Sequence, residues 1–429
     1  MKRALVWFKT DLRLSDNETL IRAIEWADEI IPVFVIDISQ LHAQQYGFPK
    51  MGKFQYNFLL ESLQNLQEYL SEKGSDLLVV KGDPAIEIPR VANLYNVQKV
   101  YAKKEIAPEE KQLMTTIEAV LWKNKIILEQ FSTSVLYAAT DLPFSIKDIP
   151  HVFTDFRKKV EKEAKVKQEF AAPQLIVSPN LPNSTELIRS EIKLLNISKD
   201  ERTSYPYTGG ETHAIHQLNY YLFESEGIKV YKETRNSLFG KAFSSKFSAY
   251  LALGCISPRT IYHQVVNYEN QMVKNESTYW LIFELLWRDF FRYSFKKNAQ
   301  SYFKLNGEST SLNFPSQSDQ GLIDSWINGE TANNLVNAAM IELKTTGWMS
   351  NRMRQIVASY FIYELGQDWR IGAAYFESQL IDYDVSNNWG NWAYIAGVGN
   401  DPRSGRVFNL EKQEAQYDKE KVYQKLWGY

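Results

Sequence analysis

Four clusters of polar and aromatic side chains carry most of the chemistry open to this sequence. Glu284-Leu285-Leu286-Trp287-Arg288-Asp289 puts a carboxylate, an indole and a guanidinium on one helix face, at i, i+3 and i+4. Charges set among Leu and Phe must pair or line a polar cavity, and the plain alternative is an i,i+4 ion pair. Asn351-Arg352-Met353-Arg354-Gln355 aligns Asn351, Arg354 and Gln355 in the same way. These types suit base edges, phosphates and buried carboxylates, or else a solvated helix face. In Asp382-Tyr383-Asp384-Val385-Ser386-Asn387-Asn388-Trp389-Gly390-Asn391-Trp392-Ala393-Tyr394, two carboxylates meet amides, rings and a glycine. Hard cations favour such oxygen ligands, but the closing Glu of an EF-hand spacing is missing. A binding loop for a flat, hydrogen-bonding heterocycle fits this run better. Last, Ser244-Ser245-Lys246-Phe247-Ser248 sets three hydroxyls before the apolar run Ala249–Gly254, as helix caps or as a phosphate-binding helix N-terminus.

Composition narrows the choices. His42, His151, His213, His216 and His263 all lie outside these clusters, and no zinc ligand set forms around them, so no metal is expected. Cys255 is the only cysteine, which excludes an intrachain disulfide and fits a reducing compartment such as the cytoplasm. The 49 Lys and Arg against 51 Asp and Glu leave a net charge of −2, so contact with nucleic acid must come from a local basic patch. Aromatic residues make up 14% of the chain, a supply of rings for stacking on bases and flat cofactors as well as for cores. No run approaches the ~20 apolar residues of a membrane helix. Ala4–Phe8 is too short for a signal peptide.

The elements that must hold the clusters follow from hydrophobic period. Ala4–Phe8, Ile30–Ile36, Leu77–Val80, Lys99–Ala102 and Lys125–Leu128 are short apolar runs separated by amphipathic stretches such as Phe54–Leu70. This rhythm predicts a five-stranded parallel sheet with crossover helices, an α/β, Rossmann-like domain over residues 1–130. No G-x-G-x-x-G follows its first strand, so the dinucleotide fingerprint is absent. Residues 131–208, with Pro143, Pro150, Pro173, Pro179 and Pro182 and the charge run Lys158–Lys167, read as a long linker with one or two short helices. Helix period then dominates from 209 to near 380, giving an all-α domain over 209–429.

Taken in order, these clusters resemble the photolyase/cryptochrome flavoprotein family over nearly the whole chain. The likeness begins in Leu5-Val6-Trp7-Phe8-Lys9-Thr10-Asp11-Leu12-Arg13-Leu14-Ser15-Asp16-Asn17. It continues through Tyr231-Lys232-Glu233-Thr234-Arg235-Asn236, the serine cluster, Glu284–Asp289 and Gly347-Trp348-Met349-Ser350-Asn351-Arg352, to Asp382–Tyr394. Tyr231–Asn236, the Asn-Trp-Gly-Asn-Trp run and Gln355 resemble the DASH-type cryptochrome branch.

The resemblance implies an antenna domain, a linker and a helical domain holding FAD. Tyr231, Ser244, Ser245, Lys246, Phe247 and Ser248 would then hold the pyrophosphate, and Arg288 and Tyr383 would complete the cofactor shell. Lys246 stands where many members have Arg, which keeps the charge and loses the fork. Asp382 would pair with Arg354, Asp384 would accept a hydrogen bond from the isoalloxazine, and Asn388 would face its N5. The activity implied is blue-light splitting of cyclobutane pyrimidine dimers in an extruded lesion. Glu284, Trp287 and Asn351 would contact the dimer, and Arg235 and Arg352 the phosphates, with Gln355 and Tyr394 also on the DNA side. Tyr394 stands where strict duplex-repair members have Trp, which points to single-stranded or looped DNA, with RNA as a further partner. Asn351 and Gln355 occupy positions where (6-4) repair enzymes use His. Trp392 and Trp369 match two members of an electron relay whose outer position is Ser316 here. Glu105 matches a contact to a 5,10-methenyltetrahydrofolate antenna. The expected state is a monomer without membrane contact. The rival reading is a blue-light photoreceptor or nucleic-acid-binding regulator without repair turnover, and a dark flavin oxidoreductase is a third, for which no nicotinamide fingerprint is present.

Overall fold

The sheet forms where the short apolar runs lie. The structure, a computed structural model, describes residues 1–42, 45–307, 318–401, 403 and 405–429. Strands β1 (Arg3–Phe8), β2 (Glu29–Ile36), β3 (Leu78–Lys81), β4 (Lys99–Lys103) and β5 (Ile127–Phe131) make one sheet in the order β3-β2-β1-β4-β5. Every pairing is parallel, with Ala4 opposite both Ile30 and Lys99. Alternate residues of β1 serve two cores. Val6 and Phe8 face one and Leu5 and Trp7 the other, so the strand is apolar along its length. Helices α1 (Glu18–Trp26), α2 (Lys53–Glu72), α3 (Pro84–Leu94) and α4 (Pro108–Lys123) make the crossovers. The fifth strand begins two residues later than the apolar run suggests. Lys125 takes φ +59° in the turn that ends α4, so pairing starts at Ile127.

The segment after the sheet carries α5 (Phe153–Glu163) and α6 (Thr185–Leu195) among irregular stretches. It is tied down: the N–H groups of Leu136 and Tyr137 donate to the Asp289 carboxylate at 2.9 and 3.0 Å. Then follow α7 (Glu211–Asn219), α8 (Tyr231–Thr234), α9 (Ser248–Leu253), α10 (Pro258–Gln271), α11 (Glu276–Asn298), α12 (Gln320–Asn328), α13 (Asn334–Thr346), α14 (Asn351–Ser359), α15 (Trp369–Gln379) and α16 (Val385–Ala396). Two short helices, α17 (Leu410–Tyr417) and α18 (Val422–Leu426), close the chain.

The sheet and the helices share one core, in which Phe8, Phe34 and Tyr101 join Phe58, Tyr250, Leu285 and Phe290. The loop after β1 makes the junction. Leu12 N–H donates to Leu253 carbonyl at 3.1 Å. Arg259 grips Asp16 with Nε and Nη2 at 2.9 and 2.6 Å, and Glu211 accepts from the N–H groups of Leu14 and Ser15 at 2.8 and 3.1 Å. Gly254, at φ +68°, lets the backbones touch, since a Cβ there would lie 2.3 Å from the Thr10 carbonyl oxygen. The carboxyl ends of β1 and β4, the switch point where open α/β sheets leave a crevice, are thereby covered by helical structure. Among the described residues no helix is long and apolar enough to cross a membrane.

Candidate flavin and lesion site

Three elements build one cavity. Gly347, at φ +71°, ends α13, and Ser350 Oγ caps α14 by accepting from Met353 N–H at 3.4 Å. Asn351, Arg354, Gln355 and Ala358 then repeat at helical spacing along one wall. Phe376 and Leu380 close a second side from α15 and its end, and Asp382, Tyr383, Asp384, Asn387, Asn388, Asn391 and Trp392 form the third. The space between these walls is about 570 Å³, with the open solvent at its mouth included. The run from Asp382 was expected to be a loop. It is a helix from Val385, because Asp384 accepts from Asn387 N–H at 3.0 Å and acts as an N-cap.

The acidic pair divides its work. Asp382 takes a two-pronged bond from Arg354, at 3.0 and 2.8 Å, and Arg354 Nε donates to Met349 carbonyl at 2.9 Å. Asp384 Oδ1 accepts from Ser386 hydroxyl and Asn387 amide, both at 2.6 Å, and its Oδ2 lies 3.8 Å from Arg292. Burial opposes ionisation of Asp384. Arg288, Arg292 and these hydrogen bonds more than offset it and hold the carboxyl well below the usual range. Asn388 spends its Nδ2 on Ala373 carbonyl at 2.9 Å, so its Oδ1 is the polar atom left for the cavity.

Beside this cavity stands an aromatic wall with one ion pair. Trp287 on α11 stacks on Phe153 of α5, with centroids 3.8 Å apart and planes at 14°. Tyr394 meets it edge-on at 5.9 Å. Glu284 pairs with Arg235, whose guanidinium lies 5.6 Å from the Trp280 ring. Burial raises the Glu284 carboxyl against the pull of Arg235. The i,i+4 pair of Glu284 with Arg288 does not form, because Arg288 turns inward to the carbonyls of Ser134 and Leu251. Nor is Arg235 an open cation, since Glu284 reaches it across 49 residues of sequence. Tyr231 is buried next to this pair. Arg352 donates to Asn236 at 3.1 Å and lies 5.0 Å from the Tyr417 ring. Tyr394 is held by Arg406, which bonds its hydroxyl and sits 4.4 Å over its ring.

The serine cluster differs from a capped helix end. The helix that starts at Ser248 has no side-chain cap, and it spans only six residues. Lys246 takes φ +58° and buries its ammonium 3.5 Å from the Phe243 ring and 4.0 Å from Trp348, with no hydrogen-bond partner among the described residues. Burial drives its pKa well down, and Glu342 and Arg354 are the nearest charges. An unpartnered buried ammonium calls for an anion. Half-buried Ser244 and Ser245 stand next to it, and the donors and acceptors of the acid–amide cavity, with this unpartnered amine, fit FAD. Phe247 is buried and Ser248 exposed.

Glu105 stands apart, at the carboxyl end of β4, with its side chain 3% exposed. Lys9 at 3.0 Å, Lys103 at 3.7 Å and Arg292 at 4.0 Å surround it. Burial would raise its carboxyl, but Lys103, Lys9 and Arg292 hold it down to about 2. Arg292 therefore lies between Glu105 and Asp384, and sequence reasoning missed it. Its signal was present: Arg288 and Arg292 stand one turn apart amid the Leu, Trp, Phe and Tyr side chains of α11. Asn387, Asn391 and Phe376 were also missed as cavity walls. Trp392 lines the cavity, whereas Trp369 lies behind it and donates to Leu305 carbonyl at 2.8 Å. Ser316 lies outside the described residues. No group of three or more metal-ligating side chains occurs among the described residues.

Comparison with known proteins gives the same outline. Residues 4–174 match the DNA photolyase family model, and residues 280–428 match the FAD binding domain of DNA photolyase. The chain is 45% identical to a cryptochrome DASH of Synechocystis sp. over 99% of its own length and 86% of the relative's. Against the cryptochrome DASH of Danio rerio the identity is 41%, over 98% and 81%. The crystal structure of a Synechocystis sp. cryptochrome superposes with a TM-score of 0.94 at 43% identity, over 100% of this chain and 88% of that one. A class III photolyase from Agrobacterium tumefaciens gives 0.85 at 26% identity, over 100% and 86%. A photolyase from Sulfolobus tokodaii, whose structure holds two FAD molecules, gives 0.81 at 27%, over 99% and 90%.

Proposed function

The chain belongs to the photolyase/cryptochrome flavoprotein family, in its DASH-type cryptochrome branch, and from that premise we propose that it splits cyclobutane pyrimidine dimers in single-stranded or looped DNA under blue light. The observation that carries this reading is the adjacency of two sites: a cavity suited to FAD, and an aromatic wall of Trp287, Phe153 and Tyr394 with the Glu284 carboxyl at its edge. Residues 209–429 are the catalytic part, 1–130 the antenna part and 131–208 the linker.

FAD, when bound, supplies light absorption and electron transfer. The protein's residues bind and orient. Lys246 meets the phosphates, with Tyr231, Ser244, Ser245, Phe247 and Ser248 around it. Arg354 is held by Asp382 and presents a fixed edge, and Tyr383 closes the wall beside it. Asp384, kept ionised, can only accept a hydrogen bond, and Arg288 and Arg292 maintain that state. Asn388, whose Nδ2 is bonded to Ala373, would offer its Oδ1 to the ring, an amide acceptor that carries no charge. An extruded dimer meets the free face of Trp287 and the ring of Tyr394. Glu284, at the edge of this wall, would hydrogen-bond the dimer. Asn351 and Gln355 meet the lesion's edge, and Arg235 and Arg352 its phosphates. With a net charge of −2, bulk attraction to duplex DNA is weak, which favours a substrate whose lesion is already unpaired.

A second reading, a photoreceptor or nucleic-acid-binding regulator without turnover, is favoured by one observation: the Glu284 carboxylate is already committed to Arg235 and one face of Trp287 to Phe153. The deciding experiment is light-dependent repair of dimers in single-stranded and looped DNA by fully reduced protein, with Glu284→Ala as the control. Repair that Glu284→Ala abolishes supports the enzyme, and no repair of either substrate sinks it. Within the same proposal, 5,10-methenyltetrahydrofolate is the antenna, held at Glu105. An absorbance band beyond that of flavin supports this, and release of flavin alone on denaturation counts against it. RNA is a further partner of the same reading, the expected state is a monomer, and the expected compartment is the cytoplasm.

A further inference from the structure

The wall behind the cavity holds an arrangement that flavin binding does not use. Trp389 and Trp392 lie at i and i+3 on α16, and Trp369 and Gly372 lie at i and i+3 on α15. Trp392 packs onto Gly372, one turn from Trp369. The Trp369 and Trp389 rings meet edge-on with centroids 5.9 Å apart. The Trp389 indole Nε1–H donates to Glu377 Oε2 at 3.1 Å. The Tyr383 hydroxyl also bonds Glu377, and Tyr383 lines the cavity. One half-buried carboxylate is thus shared by two oxidisable rings, those of Trp389 and Tyr383.

We propose that Trp389 is the outer ring donor of the electron relay to the flavin and that Glu377 is the base that takes its indole proton. The inference rests on the flavin reading above. The position matching an outer tryptophan is Ser316, which has no oxidisable ring. An oxidised indole cation in a low-dielectric core is costly. Passing its proton to a carboxylate removes both charges, leaving a neutral indolyl radical and a neutral carboxyl. Trp389 is 5% exposed and has that acceptor already in place, whereas the Trp369 N–H faces the Leu305 carbonyl, which is no base. The balance is one electron and one proton. Trp392 gives one electron to the light-excited flavin, the vacancy moves through Trp369 to Trp389, and the Nε1 proton moves to Glu377. An added thiol then supplies one electron, releases its own proton and is oxidised, while Glu377 returns the proton to the indole.

Burial pushes the Glu377 carboxyl up to about 7, against the bonds from Trp389 and Tyr383, with Lys50 and Glu109 the further charges facing it. The base is therefore present above neutrality and lost as pH falls through about 7.

The test uses the FAD-loaded full chain with oxidised flavin, illuminated with dithiothreitol. Photoreduction is expected to lose most of its rate in Trp389→Phe and in Glu377→Gln, to recover in part in Glu377→Asp, and to rise with pH in the native chain only. Freeze-trapped electron paramagnetic resonance is expected to show a neutral tryptophan radical that Trp389→Phe removes. Dimer repair by dithionite-reduced protein is expected to be unchanged in both variants, so failure of repair itself points to the parent reading instead. Flavin content checks that each variant is folded, and if Trp389→Phe fails that check, Glu377→Gln and the radical signal of the native chain decide. Native-rate photoreduction in a folded Trp389→Phe or Glu377→Gln, or a trapped radical on another ring, overturns the proposal.

Discussion

Replacing Gly372 by alanine sets two effects of similar size against each other. In the middle of α15 the change should stabilise by about 1 kcal/mol, because glycine is a poor helix former. The new Cβ, however, would lie 2.3 Å from Cη2 and 2.6 Å from Cζ3 of Trp392. Ordinary carbon contacts are ~3.5–4.0 Å, so the ring must retreat by roughly 1 Å. It is hemmed in by Phe376 at 5.1 Å, Phe361 at 6.1 Å and Trp326 at 6.2 Å, all packed edge-on, and its open side is the cavity. Overpacking of this kind costs about 1–3 kcal/mol, so the net loss of stability should be about 0–2 kcal/mol. The sharper signal is in cofactor binding. If the ring relieves its strain by entering the cavity, FAD affinity should fall by about 5- to 150-fold. Urea unfolding of the apoprotein and a fluorescence titration with FAD measure the two terms separately. Gly372→Ala combined with Trp392→Phe should restore affinity, since the smaller ring leaves room for the methyl group. A single variant that is stabilised by the full helix-propensity gain and binds FAD normally would refute the reasoning.

Two further outcomes follow from the buried charges. Asp382→Asn leaves the Arg354 guanidinium without its anion and should cost about 2–3 kcal/mol, read as a lower urea midpoint. An unchanged midpoint would show that solvent already satisfies Arg354, whose side chain is 24% exposed. Glu342 accepts from Tyr423 hydroxyl at 2.5 Å, and burial raises its carboxyl to about 8. Its folded pKa thus exceeds the unfolded value of about 4.3, so the folded chain binds this proton more tightly; that stability is full below the unfolded pKa and is lost as pH rises toward 8. Glu342→Gln should flatten the fall in the urea midpoint over this window, and an unaltered slope would assign the dependence to another group.

Much of this was legible in the chain because it is local. Five apolar runs gave five strands, and a period of 3.6 put Asn351, Arg354 and Gln355 on the wall of one cavity. The Asp382–Arg354 pair, drawn from family likeness, forms as expected. Where the sequence misled, local rules competed. Lys125 entered a left-handed turn that shortened β5, and Asp384 capped a helix where polar density suggested a loop.

The sequence by itself determined which residues share a helix face and which positions alternate across a strand, because backbone geometry fixes those spacings. Tertiary structure alone decided the partners. Glu284 could bond Arg288 one turn away, yet docking of the segment after α8 delivered Arg235, and Arg288 found the carbonyls of Ser134 in the linker and Leu251 on α9. Phe153 reaches Trp287 from within the linker, and Arg292 comes to lie between Glu105 of the sheet and Asp384 of the cavity only because the helices cover the sheet's carboxyl edge. Such pairings depend on how the chain closes over long separations, and hydrophobic period carries no record of that closure.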